Sequence, residues 1–503
     1  MNIINHLALS QLPSSRKVLY LYRRVFRLAN QWEKESERDS IRDEARDKFH
    51  KNMYKAELDY LTYTITITTK GYSIPKNDSH SKQQDETTID INMTQKEIQM
   101  IQETIINRDG WRAGMKYLYD YSTLSRYIQE ERLHLNINYE PYLNHQYTNV
   151  PFQVTINCSK PEIISGQTPK ESHYNQFEGK CVICYENIAS KSRSGLRAYE
   201  FTCNQSGAQF FRQFPPYPYF NGHNVIIDRR HVDQHLTIDT IKELLDICET
   251  MPGYKVASNS DRDGTGATNL LHRHYQAGDY HFAVFYAQTK KEYHHNDCTI
   301  RWLNYPSACL QIRGLQREQV ENTSFKLFNA WRNGDFSPAL QQPLQTCSFI
   351  ATFDETEKMF HFLIFARNAQ QPKFLTRPSL QCIKKEFVGI FEMCGRAILP
   401  GRLKDQLSRL ESILIDFESN SNDDALDYGK IVLDQEHEIF RQWINDYYVQ
   451  LKNLTTTTPT TTKQLLIESM NHTFIDILRD NSPIKENDFE TIDKWIEIMK
   501  KDL

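Results

Sequence analysis

Apolar residues recur every three to four positions near the start of the chain, over residues 18–32. Such spacing gathers them on one face of an amphipathic helix. The stripe consists of Val18, Leu21, Tyr22, Val25, Leu28, Ala29 and Trp32. A second, mostly charged helix is predicted over about 33–53, whereas the β-branched residues at 64–69 are poor helix formers. The pattern therefore predicts a small helical module over residues 1–75.

A polar stretch separates this module from the rest of the chain. Residues 76–93 contain few large apolar groups and are predicted to be a linker. Thr94 and Glu97 then form a capping-box pattern, which predicts a helix that begins there and ends near Asn107. Because residues 138–178 are rich in Tyr, Asn, Pro and Ser, 94–177 is interpreted as a helical and loop-rich connecting region.

Residues 178–450 alternate short apolar runs with helical segments, which predicts an α+β fold. The predicted strands are 225–228, 280–286, 308–312, 349–353 and 360–366. The predicted helices are 237–249, 385–397 and 403–417. A Thr-rich low-complexity insert follows at 451–463, and C-terminal helices are predicted over 464–503.

Charge is nearly balanced overall but unevenly distributed. The 503 residues include 60 Lys and Arg against 64 Asp and Glu, a net charge of −4. This balance predicts no general attraction to nucleic acid, although it leaves room for a local basic patch. The chain contains no run of 18 apolar residues, so no transmembrane helix is expected. Five basic residues precede the first acidic residue, Glu33.

Cysteine usage and the basic start bear on the compartment. Ten cysteines in so long a chain, without a signal peptide, favour a reducing environment. An acid-free start that carries arginines is also typical of mitochondrial presequences, although residues 20–32 are too rich in large side chains to be only that. We expect a mitochondrial protein, with the cytoplasm as the alternative.

The chemistry of the chain is concentrated in His272-Arg-His274-Tyr-Gln276. In an extended segment the two histidines and the glutamine point to one side. A neutral imidazole can attack phosphorus there, while an amide and main-chain N–H groups stabilise the charge on phosphate oxygens. The glycine-rich turn upstream allows close approach to a phosphate. The alternative is a polar strand edge that happens to carry histidines.

This motif resembles the histidine-triad superfamily, in particular the class II (bacterial-type) galactose-1-phosphate uridylyltransferases. Five further stretches are similar to that class in the same order: Cys181-Val-Ile-Cys184-Tyr-Glu186-Asn187, Pro216-Tyr-Pro-Tyr-Phe-Asn221-Gly-His223, Ser258-Asn259-Ser-Asp, Arg301-Trp302 with Ser307 and Ile312-Arg313, and the C-terminal signature 383–403. The resemblance implies a histidine-triad-like antiparallel sheet with packed helices.

The resemblance also implies a reaction and its residues. Family members exchange UMP between a UDP-sugar and a sugar 1-phosphate by a ping-pong route. By this resemblance His274 is the nucleophile and Gln276 binds the phosphoryl oxygens. The expected substrate-binding residues are Asn221, Asn259, Gly264, Gly266, Thr268 and Asn269.

The better-known first class of the family carries a structural zinc, and the matching ligands here would be Cys181, Cys184, His231 and His272. Such a Cys₂His₂ set leaves no open coordination position. The metal-free alternative is two buried thiols with two hydrogen-bonded histidines. His223 and His235 compete with His231 for the fourth position.

Several departures from the family pattern concern the substrate. The usual Gly-Arg and Pro-Ala-Arg-x-Asn-His-Arg stretches are not visible after Asn187, and Arg273 replaces an acidic residue between the histidines. Because of these changes, the sequence does not specify which sugar and which nucleotide base the protein binds. The alternative function is a catalytically inactive, transferase-like scaffold.

The start of the chain resembles the LYR-motif family of small helical mitochondrial proteins over about 14–75, through Leu21-Tyr22-Arg23, Phe26 and Ala45-Arg46-x-x-Phe49. The resemblance implies an antiparallel three-helix module that binds acyl carrier protein, with basic residues on the acidic carrier. The expected partner-binding residues are Leu21, Tyr22, Arg23, Arg24, Arg27 and Phe49. The alternative is a helix whose arginines are simply solvated.

Overall fold

The computed structural model describes residues 89–148, 150–159, 177–267, 269–337, 339–370, 372–420, 427–454 and 460–501. The predicted N-terminal helical module and its six partner-binding residues lie outside this part of the chain, as does Thr268. Met93–Leu503 forms one compact unit. The other domain boundaries derived from the sequence stay predictions.

The α-helices of the described residues are mostly amphipathic and cover the two faces of a large sheet. In chain order they are α1 Gln95–Asp109, α2 Trp111–Leu124, α3 Glu130–Leu133, α4 Ile238–Thr250, α5 Arg317–Asn333, α6 Pro378–Gln381, α7 Ile390–Met393, α8 Leu403–Asn420, α9 Arg441–Trp443, α10 Val449–Leu454, α11 Thr462–Asp480 and α12 Phe489–Lys500. A π-helical turn, Ile444–Tyr448, joins α9 to α10. None of these helices is long and apolar enough to span a membrane.

The strands form two sheets. They are β1 Ile137–Asn138, β2 Tyr142–Leu143, β3 Pro151–Asn157, β4 Tyr199–Thr202, β5 Gln209–Gln213, β6 Asn224–Asp228, β7 Lys255–Ser258, β8 His274–Gly278, β9 Thr289–His295, β10 Cys298–Leu303, β11 Cys309–Gly314, β12 Gln345–Asp354, β13 Met359–Asn368 and β14 Arg396–Pro400. Ten of them form an antiparallel sheet in the order β4-β5-β6-β8-β7-β12-β13-β11-β10-β9. The α+β prediction is confirmed.

Strands β12 and β13 near the middle of this sheet are buried on both faces, so they carry apolar residues at successive positions rather than at alternate ones. Neighbouring residues contribute to two separate cores. Phe349 and Ile364 belong to the core beneath α4, α5 and α12, whereas Ile350 and Phe365 belong to the core that contains β3, β14, α8 and α11.

The smaller sheet joins distant parts of the chain. Strands β1 and β2 pair with β3 in antiparallel fashion, and β14 pairs with β3 in parallel. The loop prediction for 138–178 was wrong over Pro151–Asn157, where Phe152, Val154 and Ile156 alternate along a buried strand. The frequent Asn and Pro around them concealed that short alternation.

Several other elements are confirmed. Helix α1 begins with the predicted capping box, in which Glu97 N–H donates to Thr94 Oγ1 and Thr94 N–H donates to Glu97. The predicted helices at 237–249 and 403–417 correspond to α4 and α8. The predicted strands at 225–228, 308–312, 349–353 and 360–366 correspond to β6, β11, β12 and β13.

Two predicted elements were wrong. The aromatic and β-branched run 280–286 predicted a strand, but Ala283–Tyr286 is a 3-10 turn that follows the buried Phe282. The helix predicted over 385–397 is only the four-residue α7 followed by β14. Gly395 separates them because its φ of +97° ends the helix, and a Cβ there would overlap Ala283.

Candidate active site and metal cluster

Strand β8 presents His274 and Gln276 on the same face of the large sheet. It pairs with β6 on one side, with His274 opposite Ile227 and Gln276 opposite Val225. Side chains alternate along a strand, so both residues of the motif project together. They line a cleft of about 400 Å³.

The His274 imidazole is oriented by a hydrogen bond to the main chain of His272. Its Nδ1 lies 2.8 Å from the carbonyl oxygen of His272. A carbonyl can only accept, so Nδ1 carries the proton and Nε2 carries the lone pair. Burial lowers the pKa of His274, although its hydrogen bond to His272 opposes this effect. Burial outweighs the hydrogen bond and favours the neutral imidazole, and the hydrogen bond to His272 makes Nε2 its basic atom.

Gln234 is a positioning residue that the sequence did not reveal. This buried side chain accepts a hydrogen bond from the His274 main-chain N–H at 2.9 Å. Its amide nitrogen donates to Ser258 Oγ at 3.1 Å on β7. The amide therefore ties β8 to the segment before α4. A glutamine 40 residues upstream carries no motif that identifies it as a partner of His274.

The opposite wall of the cleft is the C-terminal signature around α7. Asn259, which is buried, lines the cleft and accepts a hydrogen bond from Ile390 N–H at 2.9 Å. Glu392 holds this wall together, because it accepts from the main-chain N–H groups of Gly389 and Ile398 at 3.1 and 3.2 Å. Lys384 completes the arrangement with a buried ion pair to Glu392 at 2.9 Å.

The glycine turn packs against this wall. Gly266 has a φ of +85°, and a Cβ there would overlap the main chain of Val388 and Gly389. The absence of a side chain therefore allows two backbone segments of the chain to meet beside the cleft.

The other expected substrate-binding residues are placed differently. Gly266 and Asn269 line the cleft together with Asn259. Gly264 and Asn221 are not among its lining residues, and Asn221 is exposed, with its carbonyl accepting from Asp279 N–H at 3.1 Å. His223 lies in the cleft wall, where its ring stacks on Tyr219 and Phe220.

The four expected metal ligands meet in one cluster. The Sγ atoms of Cys181 and Cys184 and the Nδ1 atoms of His231 and His272 lie within 4.8 Å of one another. Within this cluster the two sulfurs are 3.6 Å apart, and His231 Nδ1 lies 3.1 Å from Cys184 Sγ. The competing His223 lines the cleft instead, and His235 is exposed.

The donor set and spacing fit a tetrahedral zinc ion. Bonds of about 2.3 Å to sulfur and about 2.0 Å to nitrogen give tetrahedral edges of roughly 3.3–3.8 Å. The Cys181–His272 distance is 3.3 Å and the Cys184–His272 distance is 3.7 Å. The Nε2 of His272 donates to the carbonyl oxygen of Asp228 at 2.8 Å, which leaves Nδ1 available as a ligand.

Two buried residues support the cluster from outside. Asn187, the last residue of the Cys-x-x-Cys-x-Glu-Asn motif, donates to the carbonyls of Cys181 and Cys184 at 2.9 and 3.1 Å. The Asp228 carboxylate accepts from Arg273 Nε at 2.9 Å. Burial alone would raise the pKa of Asp228, but hydrogen bonds from Arg230 and the charge of Arg273 outweigh it and lower that pKa. Arg273, which stands where the family has an acidic residue, therefore helps to hold the start of β8 in place through Asp228.

Comparisons with known proteins agree with both halves of the sequence interpretation. A family model described as Complex 1 protein (LYR family) matches residues 16–67, and one described as a domain of unknown function (DUF4922) matches 138–279. The galactose-1-phosphate uridylyltransferase of Bifidobacterium longum subsp. longum is 30% identical over 373 residues, 68% of this chain and 69% of the relative.

A second relative covers more of the chain. The galactose-1-phosphate uridylyltransferase of Clostridium acetobutylicum is 27% identical over 415 residues, 77% of this chain and 79% of its own. Among solved structures, yeast Ap4A phosphorylase Apa2 in complex with AMP matches 59% of this chain and 94% of that chain, at 14% identity and a TM-score of 0.33.

Proposed function

The chain belongs to the galactose-1-phosphate uridylyltransferase family, and from this premise we propose that it transfers UMP between a UDP-sugar and a sugar 1-phosphate through His274. It is a nucleotidyltransferase-like enzyme fused to a LYR-family module. The proposal concerns the covalent route, the residues and the substrates.

In the first half-reaction, His274 Nε2 attacks the α-phosphorus of the UDP-sugar. An N–P bond forms, the bond between that phosphorus and the bridging oxygen breaks, and sugar 1-phosphate leaves with the electron pair. In the second, the phosphate oxygen of another sugar 1-phosphate attacks the same phosphorus, and the electron pair of the N–P bond returns to Nε2. Nδ1 keeps its proton throughout and remains hydrogen-bonded to the carbonyl oxygen of His272.

The observation that carries the proposal is the orientation of His274 in the cleft. Its hydrogen bond to His272 directs the lone pair to Nε2, and Gln276 lies two residues away on the same face. A preorganised amide beside the reacting phosphorus stabilises the charge on its oxygens. Asn259, Gly266 and Asn269 are suited to hold the remaining phosphate from the other walls.

The test is covalent labelling of the full chain with UDP-glucose that carries radiolabel in the uridine. We expect acid-labile, base-stable label on His274 and none in His274→Asn. His235→Asn is the matched control, because His235 is exposed and outside the lining of the cleft. UDP-galactose and ADP-glucose, run in parallel, test the sugar and the base. Intact protein that takes no label from any of these donors contradicts the transferase proposal.

We further propose that the Cys₂His₂ cluster holds a structural zinc ion. Four protein ligands fill a tetrahedron, so the ion would fix the fold around β8 and would not offer a position to substrate. Through its four ligands, the ion would join the start of the transferase region to the motif strand. These ligands are Cys181, Cys184, His231 and His272.

A second function is favoured by the LYR-family match over residues 16–67. We propose that this module binds acyl carrier protein, with Arg23, Arg24 and Arg27 facing the acidic carrier. The module could act this way even if the transferase region were an inactive scaffold, so the two functions are tested separately.

Co-purification tests the module. Acyl carrier protein should be recovered with the full chain and lost in the double variant Arg23→Glu/Arg24→Glu. Arg16→Glu/Lys17→Glu changes the charge equally outside the Leu-Tyr-Arg tripeptide and should retain the carrier. Equal recovery with both variants argues against the proposed contact.

We also propose that the protein resides in mitochondria, because the acid-free basic start and the LYR-family match both favour that compartment. A C-terminally tagged copy should co-localise with a matrix marker. Fluorescence confined to the cytosol contradicts this placement.

A further inference from the structure

The large sheet separates the cleft on one face from a second cavity on the other face, beside strand β5. Phe211 pairs with Ile227, which pairs in turn with His274, so Phe211 lies on the cleft side. Arg212 is the next residue and points to the other side, in line with Tyr275. A cavity of about 430 Å³ opens there. This far-face cavity is lined by residues that include Glu103, Trp111, Tyr199, Phe201, Arg212 and Met251.

Arg212 brings a charge into this cavity with few acceptors around it. The side chain is only 4% exposed. Its guanidinium lies over the rings of Tyr199 and Phe201, at 5.0 and 4.7 Å from their centroids. One terminal nitrogen donates to the thioether sulfur of Met251 at 2.7 Å, a weak acceptor, and Nε has no hydrogen-bond partner.

The carboxylates near Arg212 are engaged elsewhere. Among the described residues none forms an ion pair with Arg212. Of the acidic residues that line the cavity, Asp246 pairs with Arg317 at 3.2 Å and Glu200 with Arg229 at 3.3 Å. The third, Glu103, accepts a hydrogen bond from the Gln99 side-chain amide at 2.8 Å. Burial lowers the pKa of Arg212, which reflects the cost of an unpaired charge. Since buried charges are normally paired, this arrangement indicates a missing anion.

We propose that the far-face cavity binds a small monocarboxylate with an apolar, aromatic-sized body. The carboxylate would accept charge-assisted hydrogen bonds from the planar Arg212 guanidinium. The body would lie against Trp111, Tyr199 and Phe201. A phosphate dianion fits less well, because Glu103, Glu200 and Asp246 add negative charge to the same walls. This site is separate from the cleft and does not depend on uridylyl transfer.

Isothermal titration calorimetry on the full chain tests the site, with 3-phenylpropionate as the probe. We expect saturable binding with one site per chain. The neutral isostere 3-phenylpropionamide and the dianion phenyl phosphate should bind at least about tenfold more weakly. Arg212→Met, which replaces the guanidinium with a side chain suited to the neighbouring thioethers, should weaken 3-phenylpropionate binding about 10- to 150-fold.

Thermal unfolding of the same variants distinguishes an unpaired arginine from a structural one. Arg212→Met should keep or raise Tm, because it removes an unpaired buried charge. The control is Arg197→Met, since the similarly buried Arg197 donates to the carbonyls of Met93 and Ser194. That variant should lower Tm.

Three binding results would overturn the proposal: no binding of 3-phenylpropionate, binding that persists in folded Arg212→Met, or equal binding of the amide or the phosphate. A fall in Tm of Arg212→Met as large as that of Arg197→Met would also overturn it, because the protein itself would then satisfy the guanidinium.

Discussion

The side-chain oxygen of Gln234 accepts a hydrogen bond from the main-chain N–H of His274 at 2.9 Å, so a residue outside the motif positions the proposed nucleophile. Gln234→Leu keeps the approximate volume but leaves that N–H without an acceptor. We expect about 1–3 kcal/mol of destabilisation. In steady-state UMP transfer kcat should fall more than KM rises, because the imidazole is displaced while the phosphate-binding walls remain. An unchanged kcat would show that β8 positions His274 without this amide.

The close approach of Gly266 to Val388 predicts a large effect of a single methyl group. Gly266→Ala combines a strained φ of +85° with overlap against the main chain, so we expect about 3 kcal/mol or more of destabilisation. Gly207→Ala is the control, since Gly207 has a φ of +66° but no atom within 4 Å of the added Cβ. It should cost only about 1–2 kcal/mol. Urea denaturation measures both, and equal costs would contradict the packing argument.

Metal content tests the Cys₂His₂ cluster. Protein purified without chelator should contain about one zinc per chain by mass spectrometry. Cys184→Ser should lose the metal and destabilise the protein by more than about 4 kcal/mol, because a structural ion and its ligand set are lost together. Cys158→Ser is the control, as Cys158 is a half-buried free cysteine outside the cluster. Full stability of metal-free Cys184→Ser would favour the metal-free alternative.

His361 on β13 predicts a specific acid sensitivity. Burial, reinforced by the charge of Arg313, lowers the pKa of His361 to about 4 in the folded protein, against about 6.5 in the unfolded chain. Between these values the unfolded chain binds a proton that the folded protein does not, so stability falls as pH decreases from about 6.5 to 4. The contribution is at most about 1.4 kcal/mol per pH unit.

His361→Gln should remove this contribution. Its free energy of unfolding, measured by urea denaturation from about pH 8 to about pH 4, should decline less steeply below about pH 6.5 than that of the unaltered protein. The two curves should run parallel above about pH 7, where neither state binds the proton. Parallel curves over the whole range would mean that His361 titrates alike in both states.

Local signals made part of the site predictable. The spacing of Cys181 and Cys184, and the alternation of His274 and Gln276, are set by a few bonds of backbone, so short motifs determine their relative placement. His231 could be named only through the family resemblance, because its approach to Cys184 depends on the pairing of β6 with β8. Gln234 and Arg212 act through tertiary contacts that have no local pattern.

The wrongly predicted secondary-structure elements show the same difference between local and tertiary determinants. The helix predicted over 385–397 had suitable apolar spacing, but Gly395 and the availability of β3 as a parallel partner favoured a strand. Helix α1, in contrast, depends on its own capping box and was predictable almost to the residue. The secondary structure followed local sequence propensity where the stabilising contacts lie close together in the chain. Elsewhere, tertiary contacts determined it.

The parallel pairing of β3 with β14 has a consequence for synthesis. Pro151–Asn157 leaves the ribosome about 240 residues before its partner Arg396–Pro400, which takes roughly 10–50 s at typical elongation rates. During that interval strand β3, which carries the apolar side chains Phe152, Val154 and Ile156, lacks its native partner β14. The nascent chain is therefore expected to depend on chaperones until this late strand emerges.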